Sequence, residues 1–212
     1  MNEPNFLPED RRLGLLSRLV WWLLIRLYKG LGWRAVGDMP DAPKFVIAGA
    51  SHTSNWDFMV FLGTVHAKGV RPRFIGKQSL FKWPLRGFMR DMGGIPVDRS
   101  KRADLVRQVT DAFDRHQDFK LIIAIEGTRS PTEKWRTGFY HIAMAADVPI
   151  VCAGPDYDHK LGVIGPIIHP TGDYEADMAP AFEFFKRLRP RHPENALFPD
   201  GGPFSDEPHG IE

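Results

Sequence analysis

The run Ser51-His52-Thr53-Ser54-Asn55-Trp56-Asp57 places a histidine and a carboxylate five residues apart. Histidine ionises near neutrality, so at physiological pH it can take a proton from a hydroxyl. A carboxylate that folds back onto the imidazole fixes its tautomer and stabilises the imidazolium once the proton has arrived. A His-x4-Asp pair alone is weak evidence, because Asp57 can equally serve as a helix cap. Two more polar clusters stand at similar places in the chain. Gly93-Gly94-Ile95-Pro96-Val97-Asp98-Arg99 is a glycine turn, a short apolar run and an Asp-Arg pair. The planar fork of Arg99 suits a phosphate, and a surface ion pair made by Asp98 is the plainer alternative. Glu126-Gly127-Thr128-Arg129-Ser130 offers a flexible backbone, two hydroxyls and a second guanidinium, and a loop with a helix cap would also account for it.

Each cluster follows an apolar run of strand character. Such runs occur at Lys44–Gly49, Arg73–Gly76, Ile95–Val97, Leu121–Ile125, Pro149–Ala153 and Lys160–Ile168. Helix-length segments separate them: Asn55–Lys68, Ser79–Met92, Lys101–His116, Lys134–Ala146 and Tyr174–Arg189, with Pro84 bending or splitting the second. This alternation predicts a single α/β domain with a largely parallel or mixed central sheet flanked by helices. In open α/β sheets, reactive groups gather at the carboxyl ends of strands, which is where all three clusters fall.

The 212 residues, 43% hydrophobic and 25% charged, suit one globular domain. Three segments are expected: an N-terminal amphipathic helical motif over 1–40, an α/β domain over 41–189, and a loosely ordered tail over 190–212 with five prolines and three glycines. Net charge is only +2, but its distribution is uneven. Nine basic residues face two acids between Arg71 and Arg102, whereas the last forty-two residues carry nine acids and four bases. This asymmetry favours an anionic surface or ligand near the first half of the chain, solvated faces being the bland alternative. Leu13–Leu31 is apolar but interrupted by Arg18, Arg26 and Lys29, so it is too short and too charged to span a bilayer. As a helix it sets a basic stripe opposite Trp21, Leu24, Leu27 and Tyr28, with Leu16, Val20 and Leu23 on the flank. That pattern suits a helix lying in a membrane interface, or one packed on the protein's own core. Cys152 is the only cysteine, sits in an apolar run, and is expected to be buried and inert.

The order and spelling of the clusters resemble the glycerolipid acyltransferase family, which includes the bacterial 1-acyl-glycerol-3-phosphate acyltransferases. His52–Asp57 looks like that family's His-x4-Asp block, Gly93–Arg99 its second block, Glu126–Ser130 its third and Val148–Val151 its fourth. Lys77-Gln78-Ser79-Leu80, with Pro84 and Gly87, is similar to the stretch between the first two. The resemblance implies that His52 is the general base and Asp57 its partner. It implies a substrate-binding role for Lys77, Arg99, Glu126, Gly127, Thr128 and Arg129, chiefly toward the glycerophosphate of a lysophospholipid acceptor. It also implies acyl-CoA or acyl carrier protein as donor, no metal or bound organic cofactor, and docking on the cytoplasmic face of the cell membrane through the N-terminal helix. An acyl thioester is already activated, so the acceptor hydroxyl can attack it directly. The chain departs from the family at Ala124-Ile125, where Phe-Pro is usual, and at Pro96, where an aromatic is usual. Both departures lie beside the acceptor site and bear on which acceptor is used.

Two other acceptor classes, lyso-aminolipids and lyso-glycolipids, remain open, because arginine binds carboxylates as well as phosphates. A non-catalytic lipid-binding module is the reading from another class, and a pure binder has no need of a base. The eight histidines show no metal-ligand spacing, and Asp156-Tyr157-Asp158-His159 reads as a polar turn. Lys77, Lys82, Arg86 and Arg90 surround Phe81, Trp83 and Phe88, a strip suited to an anionic donor or lipid headgroups. No nucleic-acid-binding motif accompanies it.

Overall fold

The computed structural model of the chain describes residues 14–97, 102–207 and 210. In chain order the elements are α1 (Leu15–Gly30), β1 (Arg34–Val36), β2 (Lys44–Gly49), α2 (Asp57–Ala67), β3 (Arg73–Lys77), α3 (Arg86–Asp91), β4 (Gly94–Val97), α4 (Arg102–Arg115), β5 (Phe119–Ala124), α5 (Gly138–Ala145), β6 (Ile150–Asp156), β7 (Leu161–Ile168) and α6 (Tyr174–Lys186). A 3-10 turn at Gln78–Phe81 precedes α3, so the segment around Pro84 is split, as its proline predicts.

The strands form one mixed sheet in the order β1-β7-β6-β2-β5-β3-β4. The five strands from β6 to β4 run parallel, while β7 is antiparallel to β6 and carries β1 parallel to itself. β2 lies between β5 and β6, and both of its faces are covered, which is why Lys44–Gly49 reads as a continuous apolar run rather than an alternating one. Val46, Ala48 and Ala50 face a core built with α4, α5 and α6, through Phe113, Phe139, Ile142, Met178 and Phe185. Phe45 and Ile47 face the other side with Val151 and Ile164. There α2 crosses β6, β7 and β1, and α1 packs on α2. The α1–α2 contact is close: a Cβ on Gly63 would lie 2.2 Å from the Tyr28 ring, so only glycine admits that approach. Cys152 is fully buried in the first core, and burial pushes its thiol pKa up to about 12.

Two segments differ from expectation. β1 falls inside the N-terminal segment 1–40 yet hydrogen-bonds to β7, so that segment is joined to the sheet. Residues 190–207, expected as a loose tail, are packed. Phe198 is buried in the main core, Trp135 Nε1 donates to the Leu197 carbonyl at 3.0 Å, and Arg189 Nη2 donates to the Ser205 carbonyl at 2.7 Å. The anchors Ala196, Phe198 and Phe204 lack periodicity because they hold an irregular strap rather than a helix or strand.

The α1 helix also divides its apolar residues differently. Ile25 and Tyr28 are buried, and Trp21 sets its ring edge-on to His66 of α2 at 5.6 Å. The face left exposed is Leu16, Leu19, Leu23 and Leu27, together with Leu15 and Trp22. No helix among the described residues is long and apolar enough to cross a membrane.

Candidate active site

Because β6, β2, β5, β3 and β4 are parallel neighbours, the segments that follow them emerge along one edge of the sheet. The turn at Tyr157 follows β6, His52 follows β2, Glu126–Arg129 follows β5, and Lys77 closes β3. Arg99, two residues past β4, lies outside the described residues.

Asp57 opens α2, but its side chain caps nothing there and turns back to the loop before it. One oxygen, Oδ2, accepts hydrogen bonds from the backbone N–H of Thr53 at 2.9 Å and of Ser54 at 2.8 Å, and stands 3.0 Å from His52 Nδ1. The other, Oδ1, accepts the hydroxyl of Tyr157 at 2.7 Å. The carboxylate is buried and fully partnered, whereas the His52 side chain keeps 29% of its surface exposed. On the far side of the imidazole, Arg129 Nε lies 3.2 Å from Nε2. A guanidinium can only donate, so in this arrangement Nε2 of a neutral His52 is the acceptor and Nδ1 carries the proton toward Asp57. That tautomer leaves the basic lone pair on the solvent side of the ring. Arg129 also donates through Nη1 to Asn55 Oδ1.

Glu126 is buried and turned inward. Its Oε2 accepts the backbone N–H of His52 at 2.6 Å, tying the β5 loop to the β2 loop. Burial raises its pKa to about 7, against the opposing pull of the His52 N–H. Gly127 follows with φ +70°, where a Cβ would stand 3.0 Å from Arg136 Cγ, so glycine satisfies both the turn and the close approach. Thr128 Oγ1 accepts the N–H of Ser130 at 3.1 Å, and Arg129 reaches out to His52. The structure thus brings together His52, Asp57, Glu126 and Arg129.

Two participants escape the sequence reading. Tyr157 sits in the turn that reads as merely polar, and Arg191 sits in the segment expected to be loose. The Arg191 guanidinium lies 5.6 Å from the Trp56 ring and 5.9 Å from the Tyr157 ring, and His192 N–H donates to Thr53 Oγ1 at 3.2 Å. The available signal for Tyr157 is its position, just past the strand beside β2. Arg191 has none.

Comparison with known proteins bears on this arrangement. The sequence model of the Acyltransferase family matches residues 38–154, more than half of the 212. The chain belongs to the acyltransferase family. Its fold is similar to the crystal structure of the 1-acyl-sn-glycerophosphate (LPA) acyltransferase PlsC of Thermotoga maritima, with a TM-score of 0.52 and 23% identity over 82% of this chain and 78% of that one. No curated protein matches the sequence. The matched segment contains His52, Asp57, Glu126 and Arg129, while Tyr157 and Arg191 lie beyond it. As an acyltransferase the chain is an enzyme, and its β2 and β5 loops bring the His52 imidazole, the Asp57 carboxylate and the Arg129 guanidinium together.

Proposed function

We propose that this acyltransferase moves a fatty acyl group from acyl-CoA or acyl carrier protein to a hydroxyl of a lysophospholipid, with 1-acyl-glycerol-3-phosphate as its leading acceptor. The reading rests above all on the His52 ring, whose Nδ1 is tied to the buried Asp57 carboxylate while Nε2 faces outward beside Arg129. In the reaction, Nε2 takes the proton of the acceptor hydroxyl as that oxygen bonds to the thioester carbonyl carbon. Asp57 stabilises the imidazolium so formed. The tetrahedral intermediate collapses with cleavage of the C–S bond, and the imidazolium returns its proton to the departing sulfur. The products are the ester and the free thiol.

Arg129 is the natural holder of the acceptor's anionic group. Its contact with Nε2 occupies the site the hydroxyl needs, so a phosphate that draws the guanidinium away also uncovers the base. Arg99 and Lys77 are proposed to supply further positive charge from the ends of β4 and β3. Glu126 serves this site from behind, by holding the His52 backbone, and Gly127 and Thr128 shape the turn that presents Arg129.

We place the enzyme peripherally on the cytoplasmic face of the cell membrane. Support comes from α1, whose 16 residues fall short of the roughly 20 needed to cross a bilayer. Its exposed leucines belong to a helix that packs on α3, and in the turn before α3 Trp83 is 91% exposed, with Lys82, Arg86 and Arg90 exposed nearby in sequence. Apolar side chains rimmed by cations suit an anionic lipid surface. The test is thiol release from palmitoyl-CoA, and from palmitoyl-carrier protein, across lyso-acceptors with phosphate, amine and sugar headgroups. Release that depends on lysophosphatidic acid and yields the diacyl product supports the reading. Release with another acceptor alone moves the substrate, and none with either donor overturns it.

A further inference from the structure

The sequence assigns His52 one partner, Asp57, but the buried carboxylate of Asp57 has a second oxygen to satisfy. We propose that Tyr157 is a positioning residue for acyl transfer, its hydroxyl pinning Oδ1 of Asp57 so that Oδ2 stays on His52 Nδ1. The hydroxyl donates to Oδ1 at 2.7 Å, and no other described group bonds to that oxygen. A carboxylate can turn about its Cβ–Cγ bond, and two backbone donors on Oδ2 hold only one of its ends. The phenol closes the other end. It remains a donor throughout the working range, because burial and the Asp57 carboxylate both push its pKa upward.

Tyr157 is itself held on four sides. Its ring meets Trp33 edge-on at 4.9 Å, and Trp33 stacks on Tyr28 of α1. Its backbone N–H donates to the Arg189 carbonyl at 2.7 Å, and Arg191 lies over the ring at 5.9 Å. Behind it, Asp156, fully buried, closes the turn by accepting from the N–H groups of Asp158 and His159 at 3.1 and 3.3 Å. The catalytic pair is therefore braced by two parts of the chain outside the matched family segment, the α1–β1 junction and the strap after α6. Groups that orient a catalytic side chain from behind commonly change function by about 10- to 100-fold when lost, as measured for the outer shells of metal sites.

This inference rests on reading His52 as the base, and the experiment separates the two. Tyr157→Phe removes the oxygen and keeps the ring against Trp33. It should lower kcat about tenfold, leave both substrate KM values unchanged, and leave the melting curve close to wild type. It should also move the acidic limb of the kcat–pH profile upward. Without the phenol, charge on Asp57 is less dispersed and holds the His52 imidazolium more strongly. If His52→Ala keeps its turnover, the base assignment fails and this inference with it. If His52→Ala is inactive while Tyr157→Phe overlays wild type, or loses kcat with an unmoved limb, Tyr157 is only structural and the inference alone is overturned.

Discussion

Arg129 Nε stands 3.2 Å from His52 Nε2, so a guanidinium occupies the lone pair that the proposed mechanism assigns to the substrate hydroxyl. On the proposed mechanism, the contact would screen the base from water until an anion competes for the arginine. Arg129→Ala should therefore act twice. Acceptor KM should rise about 10- to 100-fold, the effect of losing hydrogen bonds to a charged group. Acceptor-independent hydrolysis of acyl-CoA should rise as well, since water gains access to Nε2. Steady-state thiol release with and without acceptor measures both effects, and unchanged hydrolysis would remove the screening role.

Glu126 gives the protein a pH dependence of known sign. Its carboxyl is protonated more readily in the folded chain, with a pKa of about 7, than at its ordinary 4.5. Between those values the folded state binds more protons than the unfolded one, so stability falls as pH rises through this window and levels off above it. Glu126→Gln keeps an acceptor for the His52 N–H and does not ionise. Melting curves from pH 4.5 to 8 should show a smaller decline for the variant than for wild type.

Membrane attachment should depend on two separate patches. Replacing Leu16, Leu19 and Leu23 together by serine removes exposed apolar surface from α1, and full burial of a leucine side chain in lipid is worth about 1.5–3 kcal/mol. Trp83→Ala removes the most exposed large side chain of the neighbouring turn. Sedimentation with phosphatidylglycerol-containing vesicles should show weaker binding for each, by more than about tenfold for the triple variant. Activity toward a water-soluble short-chain acceptor should change little.

Gly63→Ala should destabilise the fold. The added methyl would meet Tyr28 at 2.2 Å, and overpacking of this kind costs about 1–3 kcal/mol. Calorimetry should record a Tm several degrees lower.

Much of this arrangement is legible in the sequence, for physical reasons specific to each part. The apolar runs that become β2 to β7 are visible because strands covered on both faces exclude polar side chains, as at Lys44–Gly49. β1 is missed because Arg34-Ala35-Val36 has three residues at the sheet's edge and one of them exposed. The His52–Asp57 pairing is local and therefore readable. The tie from Glu126 to the His52 N–H spans 74 residues, and Tyr157 to Asp57 spans 100. Such contacts are set by strand order, and nothing in the sequence states that β5 and β6 flank β2. Glu126 illustrates the consequence: a carboxylate in a polar cluster reads as a ligand group, yet its oxygen is turned to backbone. In the same way the face with Trp21 and Tyr28 suits either a membrane or the protein's own core in sequence, and in the structure these two residues pack against α2 while Leu16 and Leu23 stay exposed.

The most direct measurement is thiol release from palmitoyl-CoA with lysophosphatidic acid, comparing wild type with His52→Ala at matched vesicle binding. As the general base, His52 should account for a fall in kcat of roughly 10²–10⁴-fold on substitution, with KM for the donor unchanged. Near-normal turnover by the variant would contradict the assignment of His52 as the base and the mechanism built on it.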